Sequence, residues 1–322
     1  MQARSMAALV CAAALAFAGA AGAQAWPTQP IKIIVGFPPG GVADAIPRYL
    51  QTVLKDSLGQ PLVVENRPGG AGIIAMSAIA QATDNHTVGV MTLQNQIVPA
   101  TGASLPYDPR KDLQGIVLFG KTASVLTVHT SLPINDVREL IAYAKANPGK
   151  LAFATSGNAT GQHFATESLK LGAGIDILHV PYKGVAPAYT DVLSGRVPVM
   201  FMTYGSGKQH WESGKVRPLA VSTPTRFALM PELPTMAEAS GITDFSLIEW
   251  YALVAPGSMP REAKEKLHKA LVALMSKPEH AEFNKKYGLV YENMSVDDTN
   301  AFLMNEMARM TVIARRAGIK LD

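Results

Sequence analysis

The chain has 322 residues, 48% of them hydrophobic and 17% charged, with a formal net charge of +4. The charge is mild and no basic run is interleaved with aromatics, which argues against a nucleic-acid surface. The single cysteine, Cys11, lies in the N-terminal segment, so disulfides, thiol catalysis and Cys-based zinc are excluded after Ala25.

Residues 1–25 carry one positive charge, Arg4, then a run of Ala, Leu, Val and Phe, then small residues. Ala21-Gly22-Ala23 and Ala23-Gln24-Ala25 both fit a small-x-small cleavage site. The apolar run is shorter than the roughly 20 residues that span a bilayer. The segment reads as a cleaved secretory signal peptide, which places the mature protein in the periplasm. Cys11 sits too near the start to follow a full apolar region, which argues against a lipid anchor.

The remaining chain is long enough for two domains. Residues 31–35 predict an apolar strand, 44–58 a helix closed by Gly59, and 62–65 a short strand. Arg67-Pro68-Gly69-Gly70-Ala71-Gly72 follows, then a helix over 73–82 that is apolar nearly all round, like a buried one, and a strand over 87–93. The pattern restarts with strands at 125–128, 150–154, 177–180 and 197–202, and helices at 135–146, 161–171 and 187–193. After 219–221 come a turn-rich stretch at 223–234, a strand near 247–254, and helices over 260–276 and 296–317. Those last helices are expected to fold back on the first domain. The alternation implies an α/β fold with mostly parallel sheets. It reads as two lobes joined by two crossings, near Leu126 and Thr223: lobe 1 from 26–125 and 224–322, lobe 2 from 126–223.

Two strand-to-helix loops stand out. Gly36-Phe37-Pro38-Pro39-Gly40-Gly41 opens like a P-loop, but Val42 and Ala43 stand where its lysine and hydroxyl should be, so phosphate and magnesium grips are missing. Thr155-Ser156-Gly157-Asn158-Ala159-Thr160 repeats the plan with hydroxyls, an amide and a glycine. Each loop offers backbone N–H groups at a helix N-terminus, where the dipole favours an anion. Two such loops facing each other point to a clamp for a small carboxylate, with candidate contacts Phe37, Pro39, Gly40 and Gly41 from the first and Ser156, Gly157, Asn158 and Thr160 from the second. Asp44 is a candidate contact for a ligand amino or hydroxyl group, but bracing the loop is favoured, because an unpaired carboxylate would repel a bound anion. Tyr182 and Lys183, in His179-Val180-Pro181-Tyr182-Lys183-Gly184, end a strand where open α/β sheets bind ligands.

Ser156 with His163 suggests a nucleophile and base, as in a hydrolase. Gly-x-Ser-x-Gly is absent and no orienting acid is evident, so catalysis is disfavoured. The seven His are dispersed without metal spacing. Neither a cofactor nor a metal is expected. Arg67 reads as a brace, and the three Trp as packing residues.

These residues resemble the Bug-type extracytoplasmic solute receptors of tripartite tricarboxylate transporters. The resemblance runs from Trp26 to the C-terminus through Pro38-Pro39-Gly40-Gly41 with Asp44, and Gly59-Gln60-Pro61 with Val64-Glu65-Asn66-Arg67-Pro68-Gly69. It continues through Leu105-Pro106-Tyr107-Asp108-Pro109, Ala146-Asn147-Pro148-Gly149-Lys150, Ser156-Gly157-Asn158, His179-Val180-Pro181-Tyr182-Lys183-Gly184, Ser213-Gly214-Lys215-Val216-Arg217 and Leu233-Pro234-Thr235. The resemblance implies a type II periplasmic-binding-protein fold whose lobes close on a small carboxylate held by backbone groups and bridging waters. It makes the 38–41 and 156–160 loops the clamp. The protein is expected to be a monomer that hands its ligand to a membrane permease; a receptor for a sensor kinase would use the same pocket. Three departures stand out. Thr203-Tyr204 replaces an acidic or amide residue after the 197–202 strand, which makes Thr203 a candidate selector of ligand. Asn85-His86-Thr87 and Pro47 are local changes.

Overall fold

The computed structural model describes residues 26–317. The expected signal peptide and its cleavage site lie outside the described residues. The chain runs β1 (Ile31–Val35), α1 (Val42–Val53), α2 (Lys55–Leu58), β2 (Leu62–Asn66), α3 (Ile73–Ala80), β3 (Thr87–Thr92), α4 (Leu93–Ala100) and β4 (Leu113–Thr122). It continues with β5 (Ser124–His129), α5 (Val137–Ala146), β6 (Ala152–Thr155), α6 (Gly161–Ala173), β7 (Leu178–Pro181), α7 (Val185–Leu193), β8 (Val199–Thr203), α8 (Tyr204–Glu212) and β9 (Val216–Val221). The last part is α9 (Met236–Ser240), β10 (Glu249–Pro256), α10 (Arg261–Met275), α11 (Pro278–Tyr287) and α12 (Val296–Ala317).

The strands form two five-stranded sheets of the same plan, β2-β1-β3-β10-β4 and β7-β6-β8-β5-β9. In the first, β1 runs parallel to β2 and β3, and β10 is antiparallel to both neighbours. In the second, β6 runs parallel to β7 and β8, and β5 is antiparallel to both neighbours. β1 is apolar except at Lys32, which pairs with Glu65, because helices cover both faces. Ile31, Ile33 and Val35 pack with Ile46 and Leu50 of α1 and Leu267 of α10. Ile34 joins Met76 and Ile79 of α3, Ile97 of α4 and Leu303 of α12. The topology puts β1 and β6 at equivalent switch points, where the following strands lie on opposite sides. In open α/β sheets, the crevice beyond the carboxyl end of such a strand is where ligands bind.

Several boundaries differ from the sequence reading. The expected helix over 44–58 breaks at Leu54, and both Leu54 and Leu58 turn into the core. Helix α3 is less buried than its composition implied, since Ile74 is 53% exposed. Ser124 and Val125 already pair with β8 and β9, so the first crossing is at Ala123. The second crossing comes after α9, which packs on α5, and after Leu247, whose N–H donates to Ser222 O at 2.8 Å. β4, α4, α8 and α11 escaped the pattern. The glycines that masked α8 serve packing: a Cβ at Gly205 would come 2.7 Å from the Tyr287 backbone. The C-terminal α12 folds back on β4 and α4 as expected, and it also touches α6.

Candidate functional site

The first loop leaves the end of β1 and enters α1 at Gly41, its N-cap, which has extended backbone and no side-chain cap. The N–H groups of Val42 and Ala43, in the first turn, have no intrahelical acceptor. Pro39 and Gly40 are exposed, whereas Phe37 and Gly41 are half-buried. Gly40 has φ 105°, which a side chain rarely adopts, while a Cβ at Gly41 would meet nothing within 4 Å.

Asp44 fixes this loop from behind. Its Oδ2 accepts from the Gly40 N–H at 3.1 Å and Arg48 Nε at 2.8 Å; its Oδ1 accepts from Asn66 Nδ2 at 2.8 Å. Asn66 Nδ2 also donates to Phe37 O at 3.0 Å. Burial alone would raise the Asp44 carboxyl, but the bonds from Arg48, Asn66 and Gly40 prevail and hold it low. Asp44 is thus saturated within the protein. Asn66 and Arg48, which the sequence reading did not single out, complete the brace; their signal was the i,i+4 spacing of Asp44 and Arg48. Arg67 bonds to Glu65 Oε1 at 2.6 Å.

The second loop leaves β6 and enters α6. Its own side chains occupy much of its backbone. Ser156 N donates to Gln162 Oε1 at 2.8 Å, Gly157 N to Thr155 Oγ1 at 3.3 Å, and Ala159 N to His163 Nδ1 at 3.3 Å. Thr160 is the α6 N-cap and accepts from His163 N. Gly157 sits at φ 146° and Ala159 at φ 54°. A non-glycine residue there stores strain that the surrounding bonds must hold. The first-turn amides of Gly161 and Gln162 lack intrahelical acceptors. Asn158 is exposed.

Beneath this loop the rings of His163 and His179 stack at 4.1 Å, and His179 Nε2 lies 2.7 Å from Thr155 Oγ1. Burial, then the nearby His163 and Lys170, lowers the His179 pKa to about 4. His163 accepts at Nδ1 from Ala159 and has Nε2 3.9 Å from Glu167. Both ring nitrogens of His163 therefore have neighbours other than Ser156.

The β7–α7 turn is laced to this loop by Tyr182 N to Thr155 O and Gly184 N to Ser156 O, each 3.0 Å. A Cβ at Gly184 would come 4.0 Å from Pro38 Cγ, so this turn faces the first loop. Lys183 is exposed at the rim. The Tyr182 hydroxyl donates to Asp191 Oδ2 at 2.6 Å. Burial, then Asp191, pushes its pKa up to about 12. Thr203 ends β8, pairs in register with Ser124 and stands at the N-cap position of α8 without a side-chain cap bond.

The sequence reading missed the residues at the crossings. Glu249 opens β10 in register with Thr122, and a Cβ at Gly161 would collide with its carboxylate. Ser124 Oγ lies 3.5 Å from Glu249 Oε1. Buried Tyr189 and Tyr251 stand close enough to interact electrostatically. The available signal was a carboxylate beginning an otherwise apolar strand. Among the described residues, no group of three or more His, Cys, Asp or Glu could hold a metal, and no helix is long and apolar enough to cross a membrane.

A model described as the tripartite tricarboxylate transporter family receptor matches residues 46–319. The chain belongs to this receptor family. It is 36% identical over 267 residues to a protein of the tcbD–tcbE intergenic region of Pseudomonas sp. (strain P51), covering 83% of this chain and 80% of that one. It is 34% identical to Protein BugT of Bordetella pertussis, over 93% and 92% of the two chains. Among solved structures, R. palustris Rpa4515 with adipate superposes with TM-score 0.85 at 31% identity, over 92% of this chain and 99% of that one. The periplasmic binding protein BugD gives 0.83 at 28% identity, over 92% and 99%. The receptor therefore has the two-lobed, two-crossing fold of these binding proteins.

Proposed function

We propose that the protein is a periplasmic receptor that captures a small organic carboxylate between its lobes and delivers it to a membrane permease. It acts as a monomer and turns nothing over. The observation that carries this reading is the pairing of two switch-point loops, each opening a helix with unclaimed first-turn amides and no lysine. A carboxylate there is held by N–H groups, hydroxyls and water, with contributions from both sides. The adipate in the relative with 31% identity is consistent with this class.

The lobes divide at Ala123 and in the stretch between Leu247 and Glu249, and those short crossings are the hinge. Titration calorimetry with adipate, citrate and benzoate tests the ligand class: one bound per chain, with the compound recovered unchanged, is expected. Small-angle scattering at saturation should show compaction. Failure of all three acids to bind, or their chemical conversion, would overturn the reading.

A further inference from the structure

The α6 N-terminus, half of the proposed clamp, already has a carboxylate against it. The Glu249 side chain reaches from β10, in the other sheet, to the first residue of α6; only glycine at position 161 leaves room for it. On either side stand Thr122, directly opposite in the ladder, and Ser124, both fully buried. Thr122 Oγ1 has no hydrogen-bond partner. This is a polar recess built at the crossing, with an unspent hydroxyl in it.

The charges around Glu249 are few. Burial raises its carboxyl to about 7, and only the Ser124 hydroxyl acts in the other direction. On its own strand Tyr251 stands near it, and Tyr189 of α7 stands near Tyr251; both phenols are themselves pushed up by burial and remain neutral near pH 7. From α6, His163 is the nearest titratable group along the helix, and its pKa is lowered by burial. Lys121, one residue before Thr122, pairs instead with Glu292 at 2.6 Å.

One helix terminus favours a single negative charge. A ligand carboxylate arriving at the Gly161 and Gln162 amides meets Glu249 as a like charge, and two carboxylates sharing a site cannot both stay ionised. We propose that Glu249 is a ligand-contacting residue of the cleft that works as a neutral acid, so that capture of a carboxylate takes up one proton. The proton comes from solvent to a Glu249 oxygen, and the resulting O–H donates to the ligand oxygen. The side chain that would repel the ligand becomes a donor to it. This inference rests on the carboxylate-receptor reading above.

The test is calorimetry with adipate, citrate and benzoate at pH 6 and pH 8, each in phosphate and in Tris, so that buffer ionisation heat reports protons exchanged. The expected result is uptake of close to one proton per ligand at pH 8 and little at pH 6. Affinity should weaken toward tenfold per pH unit above about 7. Glu249→Gln copies the neutral acid and should abolish the uptake and flatten the pH profile. Carbon-13 NMR of the Glu carboxyls in the ligand-free protein, assigned by the same variant, should give Glu249 a midpoint near 7. Binding without proton uptake at pH 8, or uptake retained in Glu249→Gln, defeats the inference while leaving the receptor reading intact. Absence of binding by all three acids defeats both.

Discussion

The two loops of the proposed clamp occupy equivalent places in two sheets of the same plan, yet they are fastened differently. The β1–α1 loop is tied by a charge network in which Asp44 gathers Arg48, Asn66 and the Gly40 amide. The β6–α6 loop is tied by neutral groups, Thr155, Thr160, Gln162 and the stacked His163 and His179. The first spends one loop amide on its brace and the second spends three. An ion-paired brace is insensitive to pH near neutrality, whereas an imidazole brace fails in acid. The same loop plan can thus carry two different vulnerabilities.

The largest effect should come from breaking the charged brace. Asp44→Ala leaves Arg48, Asn66 and the Gly40 N–H without their shared acceptor, and should cost about 2–4 kcal/mol in urea unfolding. The matching break in the neutral brace is acidification. A His179 pKa of about 4, against 6.5 unfolded, means the unfolded chain binds the proton more readily. Stability is therefore full above pH 6.5 and is lost as pH falls toward 4, by up to about 3 kcal/mol. Thermal unfolding across that range should show the slope, and His179→Phe should reduce it. A slope unaltered in that variant would assign the acid sensitivity elsewhere.

Smaller effects sharpen the comparison at the ligand. Gly41→Val fits the free protein, with φ −88° and open space around the new Cβ, so its melting temperature should barely change while calorimetric binding is blocked. Ser156→Ala and Thr160→Ala should each weaken binding roughly tenfold, about 1.4 kcal/mol. Thr160→Ala should also lose about 1 kcal/mol of stability with its N-cap. Lys183→Ala, at the exposed rim, should alter affinity least. Full binding by Gly41→Val and Ser156→Ala, with none by Lys183→Ala, would replace the backbone clamp by an ion pair near Tyr182.

The repeated strand-turn-helix plan and the places of both loops within it were legible in the sequence because apolar period and Gly/Pro punctuation are local signals. α8 was not, since Gly205 and Gly207 weaken helical propensity for the sake of contacts with Tyr287 and Trp211 that only the folded chain reveals. The crossing was placed a few residues late because Thr122, Ala123 and Ser124 form continuous extended chain across two sheets. Asp44 was legible as a brace from simple repulsion. The approach of Glu249 to the α6 N-terminus was not legible, because its neighbours Gly161 and Ser124 are far away in sequence and come together only through the topology.

Helix α12 lies against α4 and β4 of one sheet and α6 of the other. It therefore serves as the spine of a book whose pages are the two lobes. If the lobes close as proposed, motion about this spine would be least beside it and greatest at the far margin, where Pro38 faces Gly184. Under that proposal, acids of different length would be accommodated by how far the pages meet, with the packing along the spine unchanged.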